Sequence, residues 1–234
     1  MKKLLLAALL LCFLLLSLTA CTKPPASGGT PTTAPLASGT ADTSPSVAPA
    51  SISQDAYKAF AADFFVQSVK EDQENPFVSP LSAYMVLGMV ANGAANDTAA
   101  AFEAVLGLPV EGVNATCTSV DESLSARTEA SELRLAYSIW LNKGFTPKKD
   151  FMTSVNKAYG ADVFEENLQS ASALINGWIS EKTEGMIPCF LRHPPSPDTQ
   201  MILINTLYMS LNWEIPLLEE ATADRLFYSK DGSA

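Results

Sequence analysis

The sequence predicts an α+β domain on three observations: a proline-started helix that is apolar nearly all round, a stretch in which apolar and polar residues alternate, and a later apolar run with no polar face. The helix lies in Asn75 to Gly93, NPFVSPLSAYMVLGMVANG. Ser79 can cap its start with a side-chain oxygen, and Pro80 fits the first helical position, where no backbone N–H is needed. Tyr84 to Val90 is apolar almost throughout, so no face is left for water and the helix must lie beneath a sheet or among other helices. Ser79 and Ser82 are then small polar groups at its buried end, and buried hydroxyls need partners. Leu133, Leu135, Tyr137, Ile139 and Leu141 alternate with Arg134, Ala136, Ser138, Trp140 and Asn142, the two-residue period of a strand. Within Gln200 to Trp213, the Met201-Ile202-Leu203-Ile204 run marks a central strand covered on both sides.

The chain has 234 residues and a formal charge of -10, with 47% hydrophobic and 17% charged residues. That balance suits a globular domain, and its acidity argues against nucleic acid or any other polyanion as a partner. Residues 1–20 pair a basic start, Lys2-Lys3, with a leucine-rich core too short to count as a structural membrane span, and read as a secretion signal. Leu18-Thr19-Ala20-Cys21 resembles the bacterial lipoprotein box, in which Cys21 is lipidated and becomes the mature N-terminus. An ordinary signal with a chance cysteine is the plainer alternative. Each buried acyl methylene contributes roughly 0.8 kcal/mol, so two or three chains on Cys21 would hold the protein at a membrane, tethered rather than spanning.

Residues 21–50 are rich in Pro, Ser, Thr, Ala and Gly, with Leu36 and Val47 as the only sizeable apolar residues. They cannot build a core and read as a flexible to semi-extended tether. Residues 51–234 form the folded domain. Its first helix starts near Ser51 or Ser53, with Ser51 and Gln54 as a capping box and Ile52 against Tyr57 as a staple. Tyr57, Phe60, Ala61, Phe64, Phe65 and Ser68 form its apolar stripe. Asn96 or Asp97 caps a third helix that stops at Gly107-Leu108-Pro109, and a weaker polar helix covers 113–130. After the alternating strand, Thr146-Pro147 opens a helix with Phe151, Met152, Val155 and Tyr159 on one face and Gly160 at its end. A short strand near Ala161 to Phe164 and a helix from Ser170 to Glu184, carrying Leu174, Ile175, Trp178 and Ile179, precede the long apolar strand. A second sheet is expected to begin after Glu219.

Asn75-Pro-Phe-Val-Ser79-Pro80-Leu81-Ser82 and the run to Gly93-Ala94 and Asp97-Thr98 resemble the second-helix region of the serpins. The resemblance continues at Leu135 to Leu141, Tyr159 to Val163, Ile175 to Ile179, Thr183 to Ile187, and Leu203 to Tyr208 with Trp213. In this order and spacing the blocks form a specific signal over roughly residues 53 to 232. The resemblance implies helices packed on a large central mixed β-sheet, a second sheet, and a reactive loop near the C-terminus that is bait for a target serine or cysteine protease. After cleavage the loop inserts as a new strand and traps the acyl-enzyme, a strand addition driven by stored strain from a kinetically held native state.

By resemblance, Asn75, Ser79, Ser82 and Asn205 occupy the gate over which two central strands part, and Trp213 the top of the sheet where insertion begins. Their plainer reading is capping and core satisfaction, and neither reading makes them catalytic. The family's gate histidine, hinge, reactive loop and closing strands would lie beyond residue 234, so the chain as given is expected not to trap a protease by itself and to be poorly soluble or dependent on added strands. No phosphate-cradling glycine loop or Ser/His/Asp triad can be assembled, so no enzyme activity and no cofactor are expected. His193 with Cys189 is too small a set for a metal site. Export permits a disulfide between Cys117 and Cys189, although nothing in the sequence brings their backbones together, and two unpaired thiols are the default. Two readings follow: a protease inhibitor tethered at a bacterial cell surface, and a non-inhibitory serpin-like binding or structural lipoprotein or decayed remnant.

Overall fold

A computed structural model describes residues 34–36, 54–69, 76–124, 131–215, 217–229 and 232. Cys21, Asn75 and the expected first-helix cap at Ser51 to Ser53 lie outside the described residues. In chain order the elements are α1 (Gln54–Ser68), α2 (Pro80–Ala91), α3 (Asn96–Leu106), α4 (Val110–Leu124), β1 (Ser131–Asn142), α5 (Lys149–Tyr159), β2 (Asp162–Glu166), α6 (Ser172–Lys182) and β3 (Met201–Leu211), followed by a short 3-10 turn at Glu219–Ala221.

The strands form a mixed sheet in the order β2-β1-β3. β1 pairs in parallel with β2 from Ser138↔Asp162 to Asn142↔Glu166, and antiparallel with β3 from Ser131↔Leu211 to Leu141↔Met201. Two apolar layers enclose this sheet. On one face Tyr137, Ile139 and Leu141 of β1 pack with Met85 and Met89 of α2, Val113 of α4 and Val155 and Tyr159 of α5. On the other, Trp140 and Ile204 pack with Phe164, Leu168 and the α6 residues Ile175, Trp178 and Ile179.

The predicted buried helix is the centre of the first layer. Tyr84, Met85, Gly88, Met89 and Ala91 are buried, and no residue from Pro80 to Asn92 is exposed. Gly88 is where large neighbours come closest: a Cβ there would stand 2.4 Å from the Tyr159 hydroxyl and 2.9 Å from Val113 Cγ1. A larger residue would therefore push α5 and α4 away from α2.

Several expectations need correction. β3 is the outer strand among the described residues, and β1 is the central one. The apolar run reported the covering of β3's faces: Met201 and Leu203 pack into one layer and Ile202 and Ile204 into the other. The covered faces are as expected; face burial says nothing about how many edges are paired, and among the described residues only one edge of β3 has a strand partner. Phe65 is 48% exposed, because one step of about 100° along a helix turns it away from Phe60 and Phe64. Ala95, with no side-chain cap bond, takes the N-cap position of α3. Asn96 instead adopts a left-handed backbone, φ 53°, so neither it nor Asp97 caps that helix. After Glu219 the described residues form the 3-10 turn and irregular chain, not a strand.

Candidate functional site

The serines at the start of α2 form a closed local pair. Ser79 sits at the N-cap with extended backbone, and its Oγ accepts from the Ser82 amide at 3.2 Å. The Ser79 hydroxyl donates to Ser82 Oγ at 3.1 Å. Pro80 follows at the first helical position, where its missing N–H costs nothing. Ser82 is half-buried, but Ser79 is exposed, which corrects the expectation that both hydroxyls are buried. A residue that begins a helix just beyond the sheet keeps its side chain accessible while its neighbours one turn on are covered.

Asn205 stands opposite Tyr137 in the β1–β3 ladder. Directly opposed residues share a sheet face, and the Tyr137 hydroxyl donates to Met85 Sδ of α2 at 2.7 Å. Asn205 therefore lies on the face covered by α2. Its Nδ2 donates to the carbonyls of Ala136 and Thr206, both at 3.4 Å. Its Oδ1 is buried and has no hydrogen-bond partner among the described residues, which makes it an acceptor waiting for a donor. The groups placed here by resemblance thus split: Ser79 and Ser82 bond each other, Asn205 faces the same helix with an open acceptor, and no hydrogen bond joins the two sets. Trp213 lies just past the end of β3 and is 75% exposed. None of these side chains carries a charge, and what the cluster offers is hydrogen bonds that can be exchanged.

Beside this cluster, sequence reasoning missed a polar network that fixes α2 against its neighbours. Asn92 and Asn114 exchange reciprocal amide bonds of 2.9 and 2.8 Å, and Asn92 Nδ2 also reaches the Gly88 carbonyl at 2.8 Å. The Tyr159 hydroxyl donates to Asn114 Oδ1 at 3.0 Å. Thr118 ties α4 to α5 by donating to the Ala158 carbonyl at 3.1 Å. The available signal was Gly88: a glycine inside an otherwise bulky apolar helix marks a close approach. Burial holds the surrounding thiol and tyrosine hydroxyls neutral. It pushes Cys117 and Tyr84 up to about 12 and raises Tyr137 and Tyr159 further. A thiol held neutral in a sealed core is inert.

His193 is exposed. No group of three or more metal-ligating side chains occurs among the described residues, and no helix of the described residues is long and apolar enough to cross a membrane.

β3 has one further property. Its inner edge is paired with β1, and its outer edge has no strand partner among the described residues. Met209, Leu211 and Trp213 at its C-terminal end are 58%, 56% and 75% exposed.

The family model described as "Serpin (serine protease inhibitor)" matches residues 55–234. The chain is 31% identical over 175 residues to the leukocyte elastase inhibitor of Homo sapiens, covering 72% of this chain and 46% of that protein. It is 26% identical over 190 residues to an uncharacterized serpin-like protein of Methanosarcina mazei, covering 76% and 44%. Among solved structures, the thermophilic serpin tengpin in its native state aligns with a TM-score of 0.69 at 32% identity, over 77% of this chain and 48% of that one. Tengpin in its latent state aligns at 0.70 and 33%, over 77% and 50%. The chain spans about half the length of the curated relatives it matches. With helices packed on a mixed sheet and a family match running from α1 to its last residue, the chain belongs to the serpins, a family of protease inhibitors.

Proposed function

We propose that this chain is part of a serpin that is tethered at a bacterial cell surface and inhibits serine or cysteine proteases by strand insertion. The observation that carries this reading is the family match over residues 55–234; in keeping with it, the outer edge of β3 has no strand partner among the described residues, and the buried Asn205 Oδ1, on the face covered by α2, has no donor among them. An inserting strand gains a full ladder of main-chain hydrogen bonds along such an edge, and a donor on that strand would satisfy Asn205. Ser79 and Ser82 sit at the head of the underlying helix, where bonds can be exchanged rather than lost as the sheet parts, so opening costs little. Trp213 marks the end of β3 where entry would begin. The inserted strand belongs to the part of a serpin beyond the half matched here, and lipidated Cys21 would hold the assembly at the membrane.

The test uses the protein as its host makes it, incubated with serine proteases of elastase and trypsin type and with a papain-type cysteine protease. The expected result is a covalent complex that survives denaturing gel electrophoresis, because the trapped protease remains joined through its acyl bond. Cleavage without any such complex would instead favour a non-inhibitory binding lipoprotein. Separately, Cys21→Ser is expected to move the protein from the membrane to the soluble fraction.

A further inference from the structure

The other edge of the sheet is not bare. The backbone N–H of Leu36 donates to the carbonyl of Val163 in β2 at 2.7 Å. Val163 pairs with β1 only through its neighbours: Glu166 O faces β1 and accepts from Lys143 N at 3.0 Å. Backbone groups alternate sides along a strand, so those of Val163 and Glu165 point outward. The bond therefore crosses from residues read above as tether to the outward side of β2. Leu36 is also one of only two sizeable apolar residues between Cys21 and Ala50. Its side chain is 68% exposed, so the contact is made by the backbone, as in strand addition.

We propose that Pro35-Leu36 is an edge strap: it docks in cis on the outer edge of β2, closing that side of the sheet to any other strand. The neighbouring composition suits the role. Pro35, next to Leu36, lacks an N–H, and proline is tolerated on an edge while denying a further strand its ladder. Among the described residues, the strap leaves the edge at β3 as the one without a partner. It also divides the tether. A chain extended at about 3.3–3.6 Å per residue reaches about 50 Å from residue 21 to residue 36, against about 110 Å from residue 21 to residue 54. In the membrane-tethered reading, on which this last consequence alone rests, the strap holds the domain within the shorter radius.

Hydrogen exchange on the whole mature chain tests the strap without reference to lipidation or inhibition. The Leu36 amide is expected to exchange at least tenfold more slowly than its unstructured rate, at every protein concentration. Leu36→Pro, which deletes the donor and frees the outer side of β2, should speed exchange at the β1-facing amides of Phe164 and Glu166 at least threefold. Ala37→Pro keeps the Leu36 N–H and should leave them unchanged. An unprotected Leu36 amide overturns the proposal, and so does equal acceleration by both variants. Protection that rises with concentration also overturns it, by assigning the contact to a second copy.

Discussion

Asn205 of β3 and Tyr137 of β1 are directly opposed across the ladder, yet only one of them is satisfied. The Tyr137 hydroxyl reaches Met85 Sδ at 2.7 Å, whereas the buried Asn205 Oδ1 has no partner among the described residues. An orphaned acceptor costs about 1–3 kcal/mol, and replacing it by an apolar group of similar size removes that cost. Asn205→Leu is therefore expected to leave the stability of this chain unchanged or raise it by about 1 kcal/mol in urea melts. A loss above 2 kcal/mol would mean that Oδ1 is already bonded.

Ser79 caps α2 through the Ser82 amide. Ser79→Ala is expected to cost about 1 kcal/mol, the usual cost of losing a capping side chain. Ser82→Ala should cost less, since it keeps the amide that the cap satisfies. A double-mutant cycle read by denaturant melts should give a coupling of about 0.5 kcal/mol or more, and a coupling of zero would show that the two hydroxyls do not interact.

Gly88 lies against Tyr159, and the Tyr159 hydroxyl holds Asn114 at 3.0 Å. Gly88→Ala should destabilise by about 1–3 kcal/mol through overpacking. In a Tyr159→Phe background, where the clashing oxygen is gone, the same substitution should cost at least about 1 kcal/mol less. Equal costs in both backgrounds would place the strain elsewhere, at Val113.

Cys117, Tyr84, Tyr137 and Tyr159 all have folded-state values raised by burial above their ordinary 9.0 and 10.0. The sign follows directly. Below pH 9 both folded and unfolded chains keep these groups protonated, so stability does not depend on them. Above pH 9 the unfolded chain releases the Cys117 proton first and the tyrosine protons from pH 10, while the folded chain retains them. Stability therefore falls as pH rises, by about 1.4 kcal/mol per pH unit for each group in its window. Urea melts between pH 8 and 11 should show a decline beginning near 9, and Cys117→Ala should move its onset toward 10. A stability that stays flat to pH 11 would contradict the sealed core.

Local pattern carried most of this fold into the sequence. The α2 helix, the β1 alternation and the α5 face of Phe151, Val155 and Tyr159 were legible because each is fixed by period and by its own end signals: Pro80 at one helix start, and at another helix end Gly160, which takes the left-handed backbone there. What pattern left out was pairing. Met201 to Ile204 has the same composition whether β3 is inner or outer, because edges are made by backbone and faces by side chains. The Asn92–Asn114–Tyr159 network was silent for a related reason: its members are 22 and 45 residues apart, and no local period links them. The Leu36 contact was hidden by a composition that predicts no core for the segment but does not forbid one backbone bond.

The proposed function requires that a strand can be added at the outer edge of β3, over α2. Its most direct measurement is the thermal unfolding midpoint of the host-made protein before and after cleavage by a serine protease of elastase or trypsin type. Strand addition pairs the open edge and predicts a rise in the midpoint on cleavage. A midpoint that stays the same or falls would contradict it.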